Sequence, residues 1–209
     1  VKKENKPVTP KPDAEKIEEG TDLIIKKLAD GKEKIFRLVS EYYFDKMANT
    51  LLVETTKSNK DTNSKALILL YHLQAEKTDT ILRGCNDCKN YSFDEEGKQL
   101  AFVAERDSSA KALTKFYKLY YYKTGADSAA ILAEKNTVGM KLGNTISENA
   151  GIIFSKDGKK IFFGTTPVKP PKDTTLVDFE LVRLDVWHYN DDYLQPQQLK
   201  QLDTELKRS

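Results

Sequence analysis

The chain is poor in the residues that most often carry chemistry. It has one Trp, two Met, two Cys and two His in 209 residues. Two Cys are too few for a disulfide scaffold. No run approaches the ~20 consecutive apolar residues of a transmembrane helix, so no membrane insertion is expected. Net charge is +2, with 34 basic against 32 acidic residues, and binding to nucleic acid or an anionic membrane needs a basic patch that this balance does not supply. There is no G-x-S-x-G, the motif that presents a nucleophilic Ser on a strand-to-helix turn. No signal peptide opens the chain, and its first residue is Val1 rather than Met. It is therefore expected to be a processed product or an excised piece of a longer protein. What is abundant is aromatic: ten Tyr and nine Phe, which favour strands over helices.

Those aromatics recur in a unit that appears three times: YYFDKMANTLLVET from Tyr42, YSFDEEGKQLAFVAE from Tyr91 and IFSKDGKKIFFGT from Ile153. Each copy is a short apolar run, a polar turn and a second apolar run. Phe44, Phe93 and Phe154 align, as do Val53, Phe102 and Phe163. A unit repeating every ~50–60 residues points to an architecture in which one copy cannot bury its own face and needs neighbours. Asp157-Gly158 and Glu96-Gly97 place Gly where a tight hairpin needs positive φ. The first copy has Ala48-Asn49 instead, where Asn49 is expected to take that conformation. Each hairpin is followed by a longer strand run such as ALILLYHL or YKLYYYKT. The expected fold is all-β, a partial β-propeller built from four-stranded antiparallel blades.

Residues 1–20, rich in Lys, Glu and Pro, read as a flexible linker or exposed loop. The propeller segment is expected over 21–209. Its units are a partial upstream blade (about 21–39), two blades (about 40–83 and 89–134) and much of a fourth (about 147–209). The fourth includes a strand over Phe179–Tyr189. After Pro196, Leu199, Leu202 and Leu206 sit at helical spacing, and a helix or a loop fits equally. An open set of blades leaves unpaired edges, so self-association through blade edges is expected.

Three strings narrow the resemblance: SENAGIIFSKDGKKIFFGT (147–165), PPKDTTLVDFE (170–180) and LDVWHYNDDYLQPQQLKQL (184–202). Together they resemble the N-terminal propeller of bacterial prolyl oligopeptidase-family (dipeptidyl peptidase-like) serine peptidases. The hairpin turns are also similar to TolB-like propellers. The peptidase resemblance implies an exported, periplasmic parent in which a C-terminal α/β-hydrolase domain carries the Ser-Asp-His triad and acts on peptide substrates. It implies no catalytic residue within this chain. The alternative is a TolB-like propeller that binds proteins with no hydrolase attached.

Few side chains invite a chemical role. Cys85-Asn86-Asp87-Cys88 could be a redox pair, half a zinc site, a small disulfide loop or two free thiols. Its place between strands argues against redox catalysis, and zinc needs two more ligands. Cys85 and Cys88 are therefore taken as structural. His188 alternates with Trp187 and Tyr189 on a strand run, as a core or rim residue or one facing the propeller channel. Glu148 and Asn149, and Asp191 and Asp192, flank strand ends. They are either ordinary turn residues or channel-facing acids that hold a substrate's amino terminus. No cofactor or metal site is expected.

Overall fold

The computed structural model describes residues 17–61, 63–108, 112, 114–168, 189–190, 197 and 201. The turn of each repeat sets the geometry of everything around it. In the first copy the Asp45 N–H donates to Thr50 O, and Asp45 Oδ1 accepts from the Asn49 and Thr50 N–H groups at 2.7 and 2.8 Å. In the second copy Asp94 does the same with Lys98 and Gln99, at 2.8 and 2.9 Å. In the third, Ser155 Oγ accepts from the Lys160 N–H at 2.9 Å. The fourth turn residue is left-handed in all three: Ala48 at φ 52°, Gly97 at 66° and Gly158 at 65°. Asn49 was expected to adopt that conformation. The Asp45–Thr50 closure instead fixes the strained position at Ala48, whose N–H donates to Asp45 O.

Around these turns the described chain forms thirteen strands. β1 (Thr21–Lys26), β2 (Glu33–Phe44), β3 (Thr50–Thr55), β4 (Leu67–His72) and β5 (Lys77–Arg83) make one antiparallel meander. β6 (Asp87–Phe93), β7 (Gln99–Glu105), β8 (Lys118–Lys123) and β9 (Ala130–Ala133) make a second. β2 is long because it serves two partners. Its first half pairs with β1 and its second half with β3, and the register shifts between Val39 and Glu41 beside the left-handed Leu38 (φ 56°). The pair β1 and Glu33–Val39 thus stands to β2's second half as β4 and β5 stand to β6.

The third unit is smaller among the described residues: β10 (Asn144–Ile146), β11 (Ile153–Phe154), β12 (Ile161–Phe162) and β13 (Thr165–Pro167). β11 pairs with β12 as expected of the third hairpin. The second run, expected to continue to Thr165, instead leaves β12, and residues 165–167 pair with β10. The expected strand at Phe179–Tyr189 and the helical spacing after Pro196 lie outside the described residues. The exceptions are Tyr189 in a turn and Gln197 and Gln201 in helical conformation.

The sheets stack face to face and do not close a ring. Two apolar layers separate the sheets, and a third lies between the two halves of the five-stranded one. Phe36 and Val39, with Leu23 and Ile25, cover Leu51, Val53 and Tyr71. Leu52, Ile68, Leu70 and Ile81 of the first meander meet Leu100, Phe102, Tyr120 and Tyr122 of the second. Ala101, Val103 and Leu119 meet Ile146 and Ile152, with Phe154 and Phe163 beside them. β3 and β7 are buried on both faces, which is why LLV and LAFVA read as unbroken apolar runs rather than alternating ones. Burying a Phe such as Phe102, with none of its surface exposed, contributes about 2–3 kcal/mol. The architecture is an all-β partial propeller.

Candidate functional site

Counting outward from the first turn brings the first pair of acids together. Phe44 pairs with Leu51, Tyr43 with Leu52, Tyr42 with Val53 and Glu41 with Glu54. Two carboxylates therefore stand opposite each other on adjacent strands, which is unfavourable when both are charged. Tyr91, from β6 of the next blade, donates its hydroxyl to Glu54 Oε2 at 2.7 Å. Tyr43 donates to Glu41 Oε2 at 2.5 Å, and the Tyr43 and Tyr91 ring centroids lie 5.4 Å apart. Ion pairs among the described residues include neither Glu41 nor Glu54.

This arrangement shifts the protonation of the whole group. Burial pushes the Glu54 carboxyl up to about 7, and the nearby Glu41 and Asp87 charges add to it against the Tyr91 hydrogen bond. Tyr43 is pushed up to about 12, chiefly by its bond to Glu41. Tyr91 is pushed up by burial and then by the Glu54 charge. Both phenols stay protonated as donors near neutral pH.

The next seam solves the same problem with a cation. Lys89 Nζ lies 2.9 Å from Asp87 Oδ2, 3.0 Å from Glu148 Oε2 and 5.0 Å from the Tyr117 ring centroid. Tyr117 donates its hydroxyl to Asp87. Asn90, left-handed at φ 58° in a β6 irregularity, donates through Nδ2 to the carbonyls of Glu148 at 2.8 Å and Ala150 at 3.0 Å. Burial alone would raise Asp87 and lower Lys89, but their hydrogen bonds outweigh it, so Asp87 is lowered and Lys89 raised. Tyr117 is raised, by burial and then by Asp87.

Of the residues singled out from sequence, Glu148 belongs to this row, paired with Lys89. Asn149 sits in the turn beside it, its N–H donating to Ser147 Oγ at 3.3 Å. His188, Asp191 and Asp192 lie outside the described residues. Cys85, in the connection from β5 to β6, and Cys88, at the start of β6, are disulfide-bonded, buried and packed in the same core as Phe102. Among the described residues, no group of three or more His, Cys, Asp or Glu is placed to hold a metal. Glu41, Tyr43, Glu54, Asp87, Lys89, Tyr91 and Tyr117 were not picked out from sequence. The available signal was register: an acid inside SEYYF and another inside LLVET fall opposite each other once the Asp45 turn is closed.

Carboxylates and tyrosine donors alternate at these two seams: Glu41 and Tyr43 on β2, Glu54 on β3, Asp87 and Tyr91 on β6, with Tyr117 just before β8 and Glu148 just after β10. That chemistry suits holding a polar or cationic group by charge and hydrogen bond. Among solved structures the chain is similar to the tricorn protease, at 14% identity and TM-score 0.48, covering 69% of this chain and 13% of that one. It is similar to TolB from Acinetobacter baumannii at 18% identity and TM-score 0.39, covering 69% and 32%. It is also similar to the β-propeller domain of the Trilobed protease from Pyrococcus furiosus at 10% identity and TM-score 0.31, covering 70% and 61%. The chain spans less than two thirds of the length of each, and at these identities the likeness is one of fold. No family model matches the chain. No curated protein matches it.

Proposed function

We propose that this chain is the non-catalytic propeller portion of an exported, prolyl oligopeptidase-like serine peptidase. In this role it gates and positions peptides for a hydrolase domain carried elsewhere on the parent. The observation that supports it is the grouping of Glu41, Glu54, Asp87 and Glu148 with Tyr43, Tyr91 and Tyr117 at two successive seams between blades. A peptide's amino terminus is a cation with three donors, and carboxylates hold it by charge-assisted hydrogen bonds. The peptidase-like strings at 147–165, 170–180 and 184–202 supply the rest.

The test is to titrate the purified chain with a proline-containing peptide bearing a free amino terminus and, separately, with its N-acetylated form. Backbone resonances of Glu54, Lys89 and Glu148 are expected to move with the free amine and not with the acetylated peptide. An equal response to both, or none at millimolar peptide, overturns the positioning role. Cleavage of either peptide by this chain overturns the non-catalytic one. The reading frame past Ser209 separates the partner: a G-x-S-x-G followed by Asp and His is expected. A stop codon soon after Ser209 would favour a TolB-like binding propeller.

A further inference from the structure

The same two positions of the repeat are covered in two copies and bare in one. Tyr91 and Phe93 on β6 pack against the first meander. Ile152 and Phe154, their equivalents in the third unit, pack against the second. Tyr42 and Phe44, the equivalents in the first, are 54% and 49% exposed. The strand that should stand before them has, among the described residues, a partner on one side only. β4 pairs with β3 over six residues, and β8 pairs with β7 over six. Among the described residues β1, also six residues long, is bonded only to β2 and forms the edge of its sheet. The three strand pairs share a further mark, a register irregularity near the start of β1, β4 and β8.

We infer that the free edge of β1, together with Tyr42 and Phe44, is the seat of a two-stranded hairpin of this chain's own repeat, carried on the same polypeptide ahead of residue 1. In the later units the polar stretches 56–66 and 106–117 join the hairpin to the strand that pairs with it. Residues 1–20 stand in the same place before β1. The Asn59 side chain, from the first of those stretches, accepts from the Ile17 N–H at 3.0 Å and donates to Ile17 O at 2.8 Å. The seated hairpin has a short turn cap. A Cβ at Gly97 would lie 2.3 Å from Asp45 Oδ2 of the preceding turn. Ala48 already carries that methyl, so a preceding turn fits best with Ser at the cap, as at Ser155, rather than Asp.

The chain is extended ahead of Val1 by a second copy of its third hairpin, residues 151–165, and hydrogen exchange is read residue by residue. The β1 amides that point away from β2 are expected to exchange at least about tenfold more slowly than in the unextended chain. Tyr42→Ser and Phe44→Ser should leave the unfolding midpoint of the unextended chain in place and lower that of the extended one. Unchanged β1 exchange in a folded extended chain overturns the inference. Should the extended chain not fold, the same hairpin added as a free peptide must slow β1 exchange saturably, and no effect again overturns it. Concentration-dependent protection of β1 in the unextended chain, with a dimer's mass, would mean that a second copy sits there instead, and overturns it equally.

Discussion

The two described seams between blades use one backbone plan and opposite side-chain chemistry. The first is aromatic, and its ion pair, Lys46 with Glu95, leaves the Glu41 and Glu54 carboxylates without a cation among the described residues. Tyr91, Phe102 and Tyr120 stack in series, with centroids 5.5 and 5.6 Å apart, and Glu54 is kept near neutrality by burial. The second is aliphatic, built on Ala101, Val103, Leu119, Ile146 and Ile152, and Lys89 bridges its carboxylates. The difference teaches that repetition here fixes the turn and the register and leaves the contents of each seam free. Buried carboxylates with no cation beside them depend on proton concentration. Carboxylates bridged by a cation depend on salt.

Six substitutions test this contrast. The largest effect is expected at Phe102→Ala, which leaves a cavity in the aromatic seam and should cost about 3–5 kcal/mol in urea unfolding. Val103→Ala in the aliphatic seam should cost clearly less. Next is Glu54→Gln. Because the folded carboxyl titrates near 7, above its unfolded value, Glu54 disfavours the folded state progressively as pH rises from about 4.5 through 7. Glu54→Gln should remove up to about 2–3 kcal/mol of that loss at pH 8 and change little at pH 4. A parallel offset at both pH values would show that Glu54 is charged throughout. Lys89→Met should cost about 1–2 kcal/mol by leaving Asp87 and Glu148 without their cation. The loss should shrink as salt rises, whereas the Glu54 effect should persist. The smallest is Ala48→Gly, expected to stabilise by about 0.5–1 kcal/mol because a non-Gly residue at φ 52° is strained. Gly97→Ala should destabilise, since its Cβ would meet the Asp45 carboxylate.

Much of this plan was legible before any coordinates. The repeated apolar runs located β3, β7 and the hairpins around them, because unbroken apolar runs and turn Gly are near-neighbour properties. The left-handed residue of the first turn was misplaced by one position, since Asn tolerates that conformation better than Ala and only the Asp45–Thr50 closure decides between them. β10 and its pairing with β13 left no trace in periodicity: three residues are too few to show it, and their partner lies some twenty residues on. The candidate site was least legible. Glu54 becomes unusual through Tyr91, from the next blade, and Lys89 through Glu148, from the one after. Those distances are set by stacking, which no window of sequence displays. Glu148 was picked out because it sits at a strand end, and its partner was not.

The turn ladder has a consequence for how such a chain can grow. Gln99 donates through Nε2 to Asp94 Oδ2 at 3.0 Å and to Gly158 O at 3.1 Å, tying one turn to the next. The bare Cα of Gly97 sits against Asp45 in the same manner. The second unit therefore carries a plug for its successor and a socket for its predecessor within a single six-residue loop. A gene segment encoding that unit brings both halves of the joint with it. Duplication of that unit leaves the joints on either side matched, whereas a copy of the first unit, with Ala48 where the second has Gly97, would set a methyl against the Asp cap ahead of it.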